Sequence, residues 1–216
     1  MQKILDLHIK SHSNFNDDFM VSYSNFEASN AIKDCCQWKD NRVLIIGPKC
    51  SGKTLIANLW RKNSEAVFLQ KEDDLDSISE NGRLIIDDIE NFKELQLVNI
   101  INFTNEKSIS LLLTATSYPI FKLSDLNSRI KSMYKILIKQ PDENLIKHII
   151  HKLFLQKQII IPEEVINYML SNIERTYEFI NEIIDLIDKL SKVEKRKITI
   201  PFIRDIFINY YNIDAV

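Results

Sequence analysis

The sequence predicts an α/β domain with a five-stranded parallel sheet flanked by helices, followed by a small all-helical domain. Three observations predict it. Short apolar runs, of the kind that suit strands buried on both faces, recur up to about residue 140. Stretches of helical spacing alternate with those runs, as covered parallel strands require. Beyond Pro141 the runs cease and helical periodicity takes over.

The elements follow in order. Residues 1–18 are polar and irregular around Ser11 to Asp18 and read as a flexible leader. Spaced apolar residues between Phe19 and Trp38 (Ala28, Ala31, Ile32, Cys35) predict a short helix. Val43 to Ile46 is a first strand ending at Gly47, and Leu55 to Arg61 continues as a helix. Ala66 to Leu69 and Leu84 to Asp88 are the next strands. Phe92 to Glu106 has helical spacing, and Ile109 to Thr114 and Tyr134 to Ile138 complete the five. Helices are then expected over Asp142 to Gln158, Pro162 to Ser171, Arg175 to Lys192 and Pro201 to Tyr211, with Pro162 and Pro201 suited to first turns. The expected organisation is a leader over 1–18, the α/β domain over 19–140 and the helical domain over 141–216.

Composition narrows the function classes. The 216 residues are 45% hydrophobic and 27% charged, which is ordinary for a globular chain able to build its own core. A net charge of −2 lacks the basic footprint of sequence-independent DNA binding. Cys35, Cys36 and Cys50 are too few and too badly spaced for a disulfide framework, and imply a reducing cytoplasm. The first residues are too mixed for a signal peptide, and no run reaches the roughly 20 apolar residues of a membrane span. The chain has only three glycines, and two of them, Gly47 and Gly52, stand five residues apart directly after the first strand.

Those glycines frame Gly47-Pro48-Lys49-Cys50-Ser51-Gly52-Lys53-Thr54, the G-x-x-x-x-G-K-[ST] pattern between strand and helix. Such a loop wraps phosphates with backbone N–H groups, at the positive end of the following helix. Lys53 is placed to neutralise the terminal phosphates, and the Thr54 hydroxyl to coordinate Mg²⁺. Leu84-Ile85-Ile86-Asp87-Asp88 then delivers two acids at the end of a buried strand. Asp87 would hold the metal, directly or through water, and Asp88 could polarise an attacking water. The fourth predicted strand ends at Thr114-Ala115-Thr116-Ser117, where Thr116 or Ser117 could meet the terminal phosphate or the water, with ordinary turn chemistry as the alternative. Arg129, near the end of a short helix, is either a surface charge or an arginine finger for a neighbour's site. His148 and His151 share one predicted helix without further ligands and read as solvated or packed positions.

With these motifs in this order before a helical lid, the whole chain resembles the AAA+ ATPases, and within them the clade of the replication initiator DnaA. Phe19 to Asn25 resembles the segment that opens the DnaA nucleotide domain and packs by the adenine. Ile86-Asp87-Asp88-Ile89 resembles the DnaA form of the acidic strand end. Leu123 to Ile130 resembles the box containing the arginine finger, which implies that role for Arg129. Thr116 matches the position called sensor I, and Lys197 to Ile203 matches the start of the last lid helix.

DnaA proteins continue into a helix-turn-helix domain that reads DNA; no such reader is expected here, nor direct sequence-specific DNA binding. The resemblance is therefore to Hda-type regulators. Gln2-Lys3-Ile4-Leu5-Asp6-Leu7 is similar to the Q-x-x-L-x-L peptide by which such regulators enter a pocket of the DNA sliding clamp (the polymerase beta subunit). A Gln2 head with Leu5 and Leu7 as anchors suits peptide-in-groove binding.

The implied activity is negative regulation of replication initiation. Docked on the clamp, the protein meets DnaA carrying ATP, Arg129 completes the DnaA site, and DnaA hydrolyses its own nucleotide. This chain's ADP or ATP, with Mg²⁺, then mainly fixes its shape, with its own ATPase weak or absent, and self-association is compatible with the scheme. In one respect the pattern departs from the family: the sensor II arginine falls on Glu178, a carboxylate that would repel phosphates, leaving Arg175, one turn earlier, to reach the nucleotide. A stand-alone P-loop ATPase, acting as a helicase loader or DNA-remodelling subunit, is the alternative reading.

Overall fold

The computed structural model describes residues 19–33, 38–71, 73, 75, 78 and 82–211. Its centre is a five-stranded, wholly parallel sheet of β1 (Arg42–Ile46), β2 (Val67–Phe68), β3 (Arg83–Ile86), β4 (Ser110–Ala115) and β5 (Tyr134–Leu137). The strand order is β2-β3-β4-β1-β5. β1 therefore lies between β4 and β5, and every residue from Arg42 to Ile46 is buried. That is the physical reason the strand reads as a continuous apolar run rather than an alternation.

Successive strand residues feed opposite faces of the sheet. Val43, Ile45, Ile85, Leu112 and Ile136 pack with Ile56 and Trp60 of α2 (Lys53–Ser64) and with Ala28 of α1 (Phe26–Ala31). Trp38 joins that layer, its ring centroid 4.8 Å from that of Trp60. Leu44, Ile46, Leu84, Ile86, Leu111 and Leu113 face the other way, onto Leu97, Ile100 and Ile101 of α3 (Glu94–Glu106) and Leu126 and Ile130 of α4 (Ser124–Ser132).

The remaining helices, α5 (Glu143–Gln156), α6 (Glu163–Asn172), α7 (Tyr177–Glu194) and α8 (Ile200–Tyr211), enclose a core of their own around Ile150, Phe154, Ile184, Phe202 and Phe207. Asp142 and Thr176 cap α5 and α7 through side-chain oxygens that accept from Leu145 N and Phe179 N. Two buried lid residues reach the sheet. Leu145 and Tyr177 pack into the α1/α2 face, and the Tyr177 hydroxyl pairs with Ser24 Oγ at 3.2 Å and donates to Lys139 O at 3.3 Å.

The short helix expected between Phe19 and Trp38 is Phe26–Ala31, and its start is set locally. Asn25 is the cause: its side chain accepts from Ser22 N and donates to Met20 O, folding the preceding residues into a turn. β3 also stops at Ile86, so Asp87 and Asp88 lie beyond the strand. Pro162 stands just ahead of α6 as its N-cap, whereas Pro201 lies in the first turn of α8. Cys35, Cys36 and the leader with Gln2, Leu5 and Leu7 lie outside the described residues. Among the described residues no helix is long and apolar enough to cross a membrane.

Candidate functional site

The loop Gly47–Thr54 leaves the carboxyl end of β1 and runs into α2. Gly52 has φ +87° as the N-cap of α2, a conformation that favours glycine. Gly47 is needed for space instead: a Cβ there would stand 2.8 Å from Ser51 Oγ and 2.9 Å from Ile138 Cβ. Cys50 takes the left-handed conformation without being glycine, with φ 63°. Ser51 N donates to Pro48 O at 3.3 Å within the turn, and Ser51 Oγ is buried in it without a hydrogen-bond partner.

Lys53 folds back into this turn. It is buried, and its ammonium donates to Gly47 O at 3.0 Å and Pro48 O at 3.1 Å. Thr54, next along α2, donates through Oγ1 to Asp87 Oδ2 at 2.6 Å. Asp87 Oδ1 accepts at 2.6 Å from Thr114 Oγ1, and that same hydroxyl accepts from Asp88 N at 2.8 Å. One buried threonine on β4 therefore holds both acids at the end of β3. The register explains it, because Ile86 pairs with Leu113 and the next residue on each strand is Asp87 and Thr114.

Asp88 has φ 54°, and burial, then the neighbouring Asp87, push its carboxyl above the ordinary aspartate range. A base raised in this way holds a proton more readily. Beside Thr54, Asp87 and Asp88 a groove of about 680 Å³ opens, also lined by Asn58, Arg61 and Phe92. A hydroxyl and a carboxylate in contact, next to a buried lysine of the loop, form a donor set that fits Mg²⁺ beside phosphate oxygens. Among the described residues no group of three or more His, Cys, Asp and Glu side chains could hold a metal by itself.

Thr116 is directed to Glu90, to which its N and Oγ1 both donate at 2.6 Å, so its hydroxyl is committed to a carboxylate rather than held open. Glu90 was missed in the sequence, as were Thr114 and Asn102. Arg129 is one-quarter exposed on α4, where Nε donates to Asp125 Oδ2 at 2.8 Å and Nη1 to Asn102 Oδ1 at 2.6 Å.

Arg175 does not reach toward the loop. Thr176 caps α7 in an extended conformation, so Arg175 precedes the helix, and its guanidinium pairs with Glu143 of α5 at 3.0 Å. Glu178, in the first turn of α7, does face the loop: its carboxylate lies 3.4 Å from Lys49 Nζ. Of the two histidines, His148 is held below its usual range by burial and then by Lys152, while His151 lies 3.3 Å from Glu163.

Parallel strands in this order, a strand–loop–helix at the central strand, an acidic end on a neighbouring strand and a helical lid define the class: an AAA+ fold. Beyond the fold, the likeness is to Hda and DnaA proteins. A family model of the Hda lid domain matches residues 147–207. The chain is 30% identical, over 133 residues, to the chromosomal replication initiator protein DnaA of Buchnera aphidicola subsp. Cinara cedri, covering 57% of this chain and 30% of that protein.

Domain III of the Thermotoga maritima replication initiation protein DnaA superposes with a TM-score of 0.68 at 17% identity, over 89% of this chain and 96% of that one. AMPPCP-bound DnaA from Aquifex aeolicus gives a TM-score of 0.61 at 19% identity, over 90% and 73%. The Thermotoga maritima RuvB Holliday junction branch migration motor gives 0.62 at 17%, over 85% and 67%. The chain thus spans less than a third of the DnaA sequence it matches.

Proposed function

We propose that this protein binds an adenine nucleotide with Mg²⁺ in the loop Gly47–Thr54 and acts in the control of replication initiation. It docks on the DNA sliding clamp through Gln2, Leu5 and Leu7, and promotes hydrolysis of the ATP carried by DnaA. The observation that carries the nucleotide reading is the Thr54–Asp87 hydrogen bond at the start of α2, with Lys53 folded back into the loop before it and Thr114 fixing the acid from behind. Lys53 would move from the loop carbonyls onto the phosphates, and Thr54 and Asp87 would share the metal, which supplies charge neutralisation between phosphate oxygens. The likeness to DnaA solved with AMPPCP supports the same ligand class.

Arg129 is the group offered to the partner. Its resting partners are Asp125, one turn earlier on the same helix, and Asn102 of α3, and it would exchange them for a phosphate of the partner's nucleotide. α4 is itself held in place firmly. Glu94 accepts from Lys122 N and Leu123 N at 2.9 Å each, and Asn127 bonds Phe121 N, Phe121 O and Leu123 O. This is the rigid mounting a trans-acting arginine requires.

Two variants separate the parts of the proposal. Deleting residues 2–7 should abolish binding to the clamp in a pull-down and leave binding of ADP and Mg²⁺ unchanged. Lys53→Ala should do the reverse. Clamp binding that survives the deletion at full strength removes the docking step, and unaltered nucleotide affinity in Lys53→Ala removes the phosphate role of the loop.

A further inference from the structure

The carboxyl end of β4 makes three polar contacts in a row, each to a different part of the site. Thr114 bonds Asp87 and Asp88, Ala115 O accepts from Gly47 N at 3.1 Å, and Thr116 is bound by Glu90. Glu90 belongs to the short turn Ile89–Asn91 that follows the two acids. The turn is anchored: Ile89 is fully buried, Asn91 N donates to Asp88 O at 2.9 Å, and Phe92 N to Ile89 O at 3.0 Å. From it one carboxylate oxygen of Glu90 accepts both the amide and the hydroxyl of Thr116 at 2.6 Å. Burial pushes the Glu90 carboxyl up, but hydrogen bonds from Thr116 and from its own backbone, with the Lys53 ammonium, outweigh it and hold the group below the ordinary glutamate range. Glu90 in turn helps to push the Asp88 carboxyl up. A charged carboxylate within the fields of both Lys53 and Asp88 stands at the phosphate end of the site, and Thr116 stands there with it.

We infer that Glu90 is a positioning residue that holds the Thr116 hydroxyl off the terminal phosphate and so keeps this chain's own nucleotide site slow to hydrolyse. The inference rests on the proposal that Gly47–Thr54 binds a nucleotide. A hydroxyl has one proton to donate. Once Thr116 gives it to Glu90, only lone pairs remain, and a phosphate oxygen accepts nothing from those. The 2.6 Å separation is that of a charge-assisted O–H···O⁻ bond, which is among the strong ones. In the hydrolysis, the water oxygen bonds to the terminal phosphorus as the bond from that phosphorus to the bridging oxygen breaks. ADP leaves with the electron pair, and a proton of the water passes to Asp88. A hydroxyl aimed at the phosphate oxygens during this step is a donor of the kind worth about 10²–10³ in rate. Glu90 withholds it.

The test is the steady-state release of phosphate from ATP with Mg²⁺ by the full chain, alongside calorimetric titration with ADP. Glu90→Ala should raise kcat at least about tenfold with KM little changed. Glu90→Gln still accepts from Thr116, through a neutral and weaker bond, and should raise kcat by a smaller factor. Glu90→Ala combined with Thr116→Ala should lose the gain, because the hydroxyl that acts is gone. A merely structural role for Glu90 predicts the opposite sign, since a loosened turn lowers turnover. Thermal unfolding checks each variant, and Glu90→Gln, which keeps the shape of the side chain, decides the matter if alanine unfolds the turn. Folded Glu90 variants that bind ADP and turn over ATP no faster than the wild type overturn the inference while leaving the nucleotide site standing. A gain that survives loss of the Thr116 hydroxyl does the same. Failure of the wild type to bind ADP overturns the site and the inference together.

Discussion

Thr114 is fully buried, yet its hydroxyl makes two hydrogen bonds, one to each acid of the site. Replacing it with valine leaves Asp87 Oδ1 and the Asp88 amide short of a partner, a cost of about 1–3 kcal/mol. Thr114→Val should therefore lower the denaturant midpoint without altering its slope, and an unchanged midpoint would show that other groups hold the acids. The sequence made Gly47 to Thr54, Asp87 and Asp88 legible because each belongs to a pattern tied to one chemistry. Thr114 was hidden by sitting inside an apolar run, although a hydroxyl between Leu113 and Ala115 on a buried strand has to find a partner. Thr116, at a matching position by resemblance, is turned to Glu90, a contact that depends on the short helical turn Ile89–Asn91 and leaves no trace in spacing. Glu178 could be placed near the loop by its match to sensor II; its pairing with Lys49, and that of Arg175 with Glu143, could not.

At the scale of elements, α7 does more than complete the lid core. Its first turn carries Tyr177, which anchors the lid to Ser24 and Lys139, and Glu178, which faces the loop. The turn is held by Thr176, whose Oγ1 accepts from Phe179 N at 3.2 Å. Thr176→Ala should cost about 1 kcal/mol. Amide hydrogen exchange should rise in the first turn of α7 before it rises elsewhere in the lid, and uniform exchange across α7 would contradict that local role. The five strands were legible because burial on both faces produces apolar runs, as in Val43–Ile46 and Leu111–Leu113. The first helix was legible as a short helix between Phe19 and Trp38, but its start was not, because Asn25 diverts the backbone ahead of Phe26. Side-chain competition for backbone groups defeats periodicity at such points.

For the whole molecule, the arrangement separates two functions by distance along the fold. The loop at the end of β1 has what a nucleotide needs, and a lid that brings a carboxylate to it. Arg129 stands apart on α4, bonded to α3 through Asn102, and close enough to Arg42 at the start of β1 to help burial hold that guanidinium below its usual range. This arginine, which lies toward the opening of β1 and not at the loop at its end, is proposed to act on a site other than its own. The central proposal is that this protein promotes hydrolysis of the ATP carried by DnaA, with Arg129 as the reacting contact. The direct measurement is the rate of hydrolysis of DnaA-bound ATP in the presence of clamp loaded on DNA, comparing wild type with Arg129→Ala. Loss of one arginine finger removes about 10³-fold or more of the stimulated rate, so stimulation by the wild type and near-background hydrolysis with Arg129→Ala are predicted. Equal stimulation by both proteins, or none by the wild type, would contradict the account.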